Sequence, residues 1–252
     1  VKVAACWRYP VKSLQGHQLD LLQVGPDGVV GDRRWAVIDD TDGRLASAKR
    51  HSALLEATVD GDHIVLPDGG RVSLVDDDST RSVLSDWLGG AFHLAESTPS
   101  TSVEYQMTFD PPDDGAELFT IPAPPGTFLD LAPIHLLTYG TLRACADARP
   151  DLDWDVRRFR PNLVVDTGDV ELFGEQAWVG RRLRVGEVEL AVDSPTVRCA
   201  MPLRAQPGLE RQAGLFDAMS ELNEEYPNHL GVYCSVVSPG TVRVGDPVEV
   251  SS

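Results

Sequence analysis

Four short stretches hold the side chains of this chain that could do chemistry. The first is "SPTVRCAMPLRAQPG", Ser194 to Gly208, where Cys199 directly follows Arg198. A neighbouring guanidinium favours the thiolate, which makes a cysteine a better nucleophile or metal ligand. An inert buried thiol is the alternative for a lone cysteine. The second is "PVKSLQG", Pro10 to Gly16, in which Lys12 and Ser13 follow a strand-like run. An ammonium and a hydroxyl at a strand end can hold a phosphate or carboxylate. A solvated turn is the alternative.

The third stretch is "GDRRW", Gly31 to Trp35. Strand alternation puts Arg33 and Trp35 on one face and Arg34 on the other, so one of the two arginines is expected to be structural. The fourth is "RRFRPN", Arg157 to Asn162. On a strand, Arg158, Arg160 and Asn162 would line one side and cradle a phosphate or pterin with forked donors. Ion pairing with Asp153 and Asp155 is the competing reading, and Pro161 argues against a central strand position.

These residues stand out against the rest of the composition. The formal net charge is -17, so nucleic acid and anionic membrane surfaces are unsuitable partners, and a local arginine cluster marks an anion site. The only lysines are Lys2, Lys12 and Lys49. The cysteines Cys6, Cys145, Cys199 and Cys234 fit no zinc or iron–sulfur spacing, and a reducing cytoplasm is the expected setting. No apolar run is long enough to span a membrane, and the start of the chain does not read as a signal peptide. A dinucleotide fingerprint, a Walker loop, H-E-x-x-H and G-x-S-x-G are all missing from the sequence.

Short β-type runs carry most of the motifs. "VKVAACWRYPV", "GVVGDRRWAVIDDTDGRLAS" and "HIVLPDGGRVSLV" predict strands and hairpins, and "STRSVLSDWLGG" predicts a short helix capped by Ser79 or Thr80. Residues 1–95 are expected to form a mainly β domain and residues 96–126 a long loop or linker. Residues 127–252 are expected to form a second domain, a β-barrel with flanking helices. Within it, "FLDLAPIHLLTYGTLRACADARP" turns helical after Thr138, and "RQAGLFDAMSELNEEY" is an amphipathic helix. The fold class is thus mainly β with flanking helices.

The order of "YPVKSLQG", "GDRRWAVID", "FRPNLVV", "RC" and "GVYCSVVSPGTVRVGDPV" resembles the MOSC family over nearly the whole chain, including its N-terminal β-barrel domain. The resemblance points toward the amidoxime-reducing members. It implies a molybdenum cofactor (a molybdopterin), with Cys199 as the metal ligand and catalytic centre. Lys12, Ser13, Arg33, Arg160 and Asn162 would hold the pterin, with Arg158 and Arg198 beside them. It also implies an oxidoreductase that reduces N-oxygenated small molecules with electrons from a separate flavin or iron–sulfur protein. A cofactor carrier or sulfur-handling accessory protein is the alternative. The chain departs from the amidoxime reducers after "RC", where it reads "AMPLRAQPGL", and at Leu131, Ala132 and Pro133, where relatives carry hydroxyl side chains. The pyridoxal-phosphate domain of full sulfurases has no counterpart in the sequence.

Overall fold

The first strand, Lys2–Arg8, hydrogen-bonds not to its sequence neighbours alone but to Leu163–Asp166, far along the chain. In the computed structural model, which describes residues 1–108 and 117–251, this strand belongs to the largest sheet. The sheet runs Val248–Ser251, Arg182–Val185, Val188–Val197, His229–Ser238, Ile134–Thr138, Leu163–Asp166, Lys2–Arg8, His17–Leu19. Neighbours are antiparallel except Ile134–Thr138 with Leu163–Asp166, which is parallel. That parallel pair needs a crossover, and the helix Tyr139–Ala148 lies within it. Leu21–Gly25 pairs in turn with Gly240–Arg243. A boundary near residue 95 therefore cuts the chain but not the sheets: the start and end of the sequence are stitched together.

The remainder of the first hundred residues builds small sheets. Trp35–Asp39 pairs with Phe92–Glu96 and Arg44–Leu45, while Thr58–Asp60, His63–Val65 and Arg71–Ser73 form a meander. The helix Asp78–Leu88 covers them. Its cap is Asp77, which accepts from the Thr80 amide, rather than Ser79 or Thr80 as expected, and Gly89 ends it in the left-handed conformation. Leu14, Leu54, Leu55, Ile64 and Leu84 fill the core beneath, and Met201 and Cys199 pack against that same core. The cysteine-bearing segment thus closes onto the N-terminal unit.

The stretch expected as a linker contains an antiparallel pair, Glu104–Met107 with Phe119–Pro122. Burial explains it. Tyr105 is fully buried in a cluster with Ala36, Ile38, Leu45 and Phe128, which holds the pair to the N-terminal unit. Residues 109–116 of that stretch lie outside the described residues. No helix among the described residues is long and apolar enough to cross a membrane.

Candidate functional site

A cavity opens where the N-terminal unit meets the large sheet. Its walls include Lys12, Ser13, Arg33, Arg160, Asn162, Arg198 and Cys199, residues more than 180 positions apart in sequence. Seven of the eight residues singled out in the sequence therefore share one space; Arg158 does not.

The backbone at this cavity is held in conformations that side-chain-bearing residues avoid. Ser13 (φ 70°), Arg33 (φ 45°) and Arg160 (φ 54°) are all left-handed, and all three line the cavity. Each such residue costs about 1–3 kcal/mol, which surrounding bonds must offset, and such strain concentrates at functional sites. Here the bonds are identifiable. The Arg33 amide donates to the Tyr9 carbonyl at 2.6 Å, and the Asn162 amide donates to the His135 carbonyl at 2.7 Å. The Ser13 hydroxyl accepts from the Ala48 amide at 3.0 Å.

This local geometry corrects two expectations. Arg33 does face the cavity and Arg34 does face outward, where it is ion-paired with Glu96 and lies over the Trp35 ring. The cause is the turn at Arg33, not strand alternation, because the strand begins only at Trp35. Likewise "RRFRPN" is not a strand. Val156–Arg158 is one turn of 3-10 helix, and the chain turns again at Arg160. Arg158 is consequently turned into the protein. Its guanidinium donates to Asp153 at 2.8 Å and to the carbonyls of Glu210 (2.9 Å), Pro202 (3.3 Å) and Arg204 (3.4 Å). Arg157 pairs with Asp155. The ion-pair reading holds for these two arginines, and only Arg160 of the three reaches the cavity.

Around the cavity the cations fall into two sets. Arg33 is ion-paired with Asp32, whose carboxylate also accepts from the Tyr9 amide (2.7 Å) and the Asn162 side chain (3.1 Å). The Asn162 amide oxygen accepts from the His135 backbone amide at 3.1 Å, so Asn162 orders the wall rather than presenting free donors. Lys12 donates to Asp130 and to the Phe128 carbonyl, both at 2.7 Å. Burial pulls the Lys12 ammonium below its ordinary value, and Asp130 offsets part of that shift. Asp130 is desolvated, yet Lys12, Lys49 and Arg33 together hold its carboxyl well below the usual range, so it is ionised.

The second set has no carboxylate partner among the described residues. Arg160 donates one Nη to the Leu14 carbonyl at 2.7 Å, lies 4.2 Å from the Tyr9 ring centre, and keeps its other Nη buried with no partner. Burial pushes its pKa down to about 10. Arg198 donates to the Phe159 carbonyl at 2.6 Å, and its Nε is likewise buried and unpartnered. Lys49 is the third. Unpartnered Nε atoms also occur outside the cavity, at Arg8 and Arg158. At Arg160 (an Nη) and Arg198 (Nε) the unpartnered nitrogen belongs to a guanidinium with no direct ion pair among the described residues, and a buried unmet donor of this kind costs about 1–3 kcal/mol or more. An anion with several acceptor oxygens would satisfy both arginines.

Only Cys199 among the cysteines reaches this space. Cys6, Cys145 and Cys234 are buried, and burial raises their thiols, to about 11 for Cys6 and about 12 for Cys145. They are protonated at neutral pH. Cys199 is partly exposed and lines the cavity just after Arg198.

Sequence reading missed Ser47, Lys49, Tyr105, Asp130, His135 and Tyr233, which also line the cavity. Two of them carry a signal in retrospect. Lys49 is one of three lysines in the chain, and His135 interrupts an apolar strand, "IHLL". Tyr105 and Asp130 sit in stretches without periodicity and carry none.

A cysteine and an arginine set at the junction of two β units define a cysteine-centred anion site. A MOSC domain is matched at residues 125–249 and a MOSC N-terminal beta barrel domain at residues 1–83. The chain belongs to the MOSC family, with the N-terminal barrel domain preceding the MOSC domain. Mitochondrial amidoxime-reducing component 1 of Homo sapiens is 25% identical over 287 residues, covering 98% of this chain and 82% of that protein. Mitochondrial amidoxime reducing component 2 of Rattus norvegicus is 23% identical, with the same coverages of 98% and 82%. The solved YUAD protein from Bacillus subtilis covers 99% of this chain and 94% of its own at 13% identity and a TM-score of 0.46.

Proposed function

We propose that this protein is a molybdenum-cofactor oxidoreductase that reduces N–O bonds of N-hydroxylated small molecules. The observation that carries the reading is the coincidence in one cavity of an accessible thiol, Cys199, with two arginines whose buried nitrogens lack partners. A soft thiolate suits molybdenum, and guanidinium forks suit a phosphate. The residues fit the group on both counts.

In this reading Cys199 supplies the protein's metal ligand. Arg160 and Arg198 take the cofactor's phosphate, with Ser13 and Arg33 alongside. When bound, the cofactor supplies two-electron oxygen-atom transfer; the protein supplies binding and orientation. The overall change is N–OH plus two electrons and two protons to N–H plus water. Asp130 is ionised and held by Lys12, so it is no proton donor. Burial keeps the Tyr233 hydroxyl protonated, and it lines the cavity as an O–H donor. His135 is neutral, since burial and Arg198 both disfavour its cation. The electrons come from a separate flavin or iron–sulfur protein, because the sequence holds no dinucleotide fingerprint.

The test is expression in a host that makes the cofactor, metal and pterin analysis, and then benzamidoxime reduction with a viologen donor. Stoichiometric molybdenum with turnover supports the reading. Stoichiometric molybdenum without turnover on a broad N-hydroxy panel favours the carrier, and absence of molybdenum overturns both.

A further inference from the structure

One cation of the cavity is not accounted for by the reading above. Lys12 is held by Asp130 and Arg33 by Asp32, while Arg160 and Arg198 are assigned to the cofactor. Lys49 remains. Its ammonium lies 4.7 Å from the centre of the Tyr105 ring and, among the described residues, has no carboxylate within ion-pair distance. The contrast with Lys12 is direct, since Lys12 lies 5.3 Å from the same ring but is ion-paired.

Lys49 is also held in place, as an anchor must be. It sits in the turn after Arg44–Leu45, where the Arg50 and His51 amides donate to the Ser47 carbonyl at 2.9 and 2.8 Å. Its own carbonyl accepts from Arg204 at 2.8 Å. Arg204 lies five residues beyond Cys199, so this bond ties the lysine to the segment that carries the thiol. Burial opposes its charge, yet the net shift is upward, favoured by Asp130. Ser47 and Tyr105, from the same N-terminal unit, share its wall. Asp130 favours this charge without pairing with it directly, since its ion pair is with Lys12, so among the described residues the Lys49 ammonium makes no ion pair of its own.

We propose that Lys49 anchors an anionic group of the substrate, so that the preferred substrates are N-hydroxylated compounds that also carry a carboxylate. The anchor rests on the functional reading above for the reacting N–O group, and on Lys49 alone for the anion. Uncharged N-hydroxy compounds leave Lys49 unpaired, and cationic ones are repelled by it. A charge-assisted hydrogen bond of this kind is worth about ten- to a hundredfold in affinity.

The experiment compares 4-carboxybenzamidoxime with benzamidoxime on the cofactor-loaded full chain. The wild type should favour the carboxylated compound in kcat/KM. In Lys49→Met that preference should fall about tenfold or more, mainly through KM, and Lys49→Arg should restore most of it. Arg50→Met, an exposed neighbour paired with Asp42, should leave the preference unchanged. Molybdenum and pterin content must be equal in all variants; loss of cofactor from Lys49→Met would assign the lysine to the cofactor and overturn the proposal. An unchanged preference in Lys49→Met would overturn it too, while leaving N–O reduction intact. If no N-hydroxy compound turns over, calorimetric binding of 4-carboxybenzamidine still reads the anchor: Lys49-dependent binding retains it, and binding indifferent to Lys49 removes it.

Discussion

Nη1 of Arg198 lies 3.4 Å from Nε2 of His135, and Nδ1 of the same ring lies 3.4 Å from the Arg160 carbonyl. A guanidinium can only donate, so Nε2 is the acceptor and the ring proton belongs on Nδ1, facing the carbonyl. A neutral histidine thus joins the two arginines that carry the unpartnered nitrogens. Gly231 makes room for it: a Cβ there would stand 2.4 Å from Nε2, and the backbone is left-handed at φ 83°. The Tyr233 ring packs edge-on against the imidazole at 6.0 Å.

The neutrality of His135 predicts a pH dependence of stability. Its folded pKa lies well below 6.5, chiefly through burial and then through Arg198. Between that depressed value and 6.5 the unfolded chain binds a proton that the folded chain does not. Stability is therefore fully present above 6.5 and declines as pH falls through the window. Urea midpoints at about pH 5 and about pH 7.5 should differ less in His135→Gln than in the wild type. His51, also lowered by burial, supplies part of the residual slope. Nitrogen shifts of the ring should report the Nδ1–H tautomer throughout.

Cys199→Ser should abolish molybdenum binding and leave the circular dichroism spectrum unchanged, because the swap is nearly isosteric and the residue is partly exposed. Cys145→Ser should retain the metal, since burial holds that thiol near 12 and away from the cavity. Equal loss from both variants would remove the assigned role of Cys199.

Arg160→Ala should weaken cofactor retention by about 1.5–3 kcal/mol, the range for a hydrogen bond to a charged group. Arg34→Ala should have little effect, because its partners are Glu96 and the Trp35 ring on the outer face. Pterin content after gel filtration distinguishes the two.

Arg158→Ala should act on folding. The side chain is fully buried and ties Asp153 to three carbonyls of the 202–210 segment. Its removal should cost about 3 kcal/mol, the upper end of ordinary single substitutions. A lowered denaturation midpoint with normal cofactor content in the folded fraction is the expected result. Loss of cofactor at unchanged stability would return Arg158 to the cofactor site.

The purified chain should not oxidise NADH or NADPH by itself. With a protein donor, turnover should fall as salt rises, because a net charge of -17 favours a donor with a basic docking face. A salt series with viologen alongside separates docking from chemistry. Sustained NADH-driven turnover by the chain alone would contradict this.

The sequence by itself determined several of the elements and named seven residues that line the cavity. Period-two runs and turn residues announced the hairpins at His63–Val65 with Arg71–Ser73 and at Trp35–Asp39 with Arg44–Leu45, since both signals are local. Cys199, Arg198, Arg160, Arg33 and Lys12 were legible because a thiol and arginines are chemically distinctive in an acidic, lysine-poor chain. What only the tertiary structure decided was which way those side chains face and what stands opposite them. Arg158 and Arg160 are two residues apart, yet one is locked into the protein and the other lines the cavity. A 3-10 turn and a left-handed residue replace the alternation of a strand, and non-local bonds hold those conformations. Asp130 was silent for the same reason: it matters through Lys12, from another part of the chain. Lys49 and His135 are distinctive in the sequence, but only the fold brings them to the cavity, where pairing of Lys2–Arg8 with Leu163–Asp166 and of Leu21–Gly25 with Gly240–Arg243 joins distant parts of the chain.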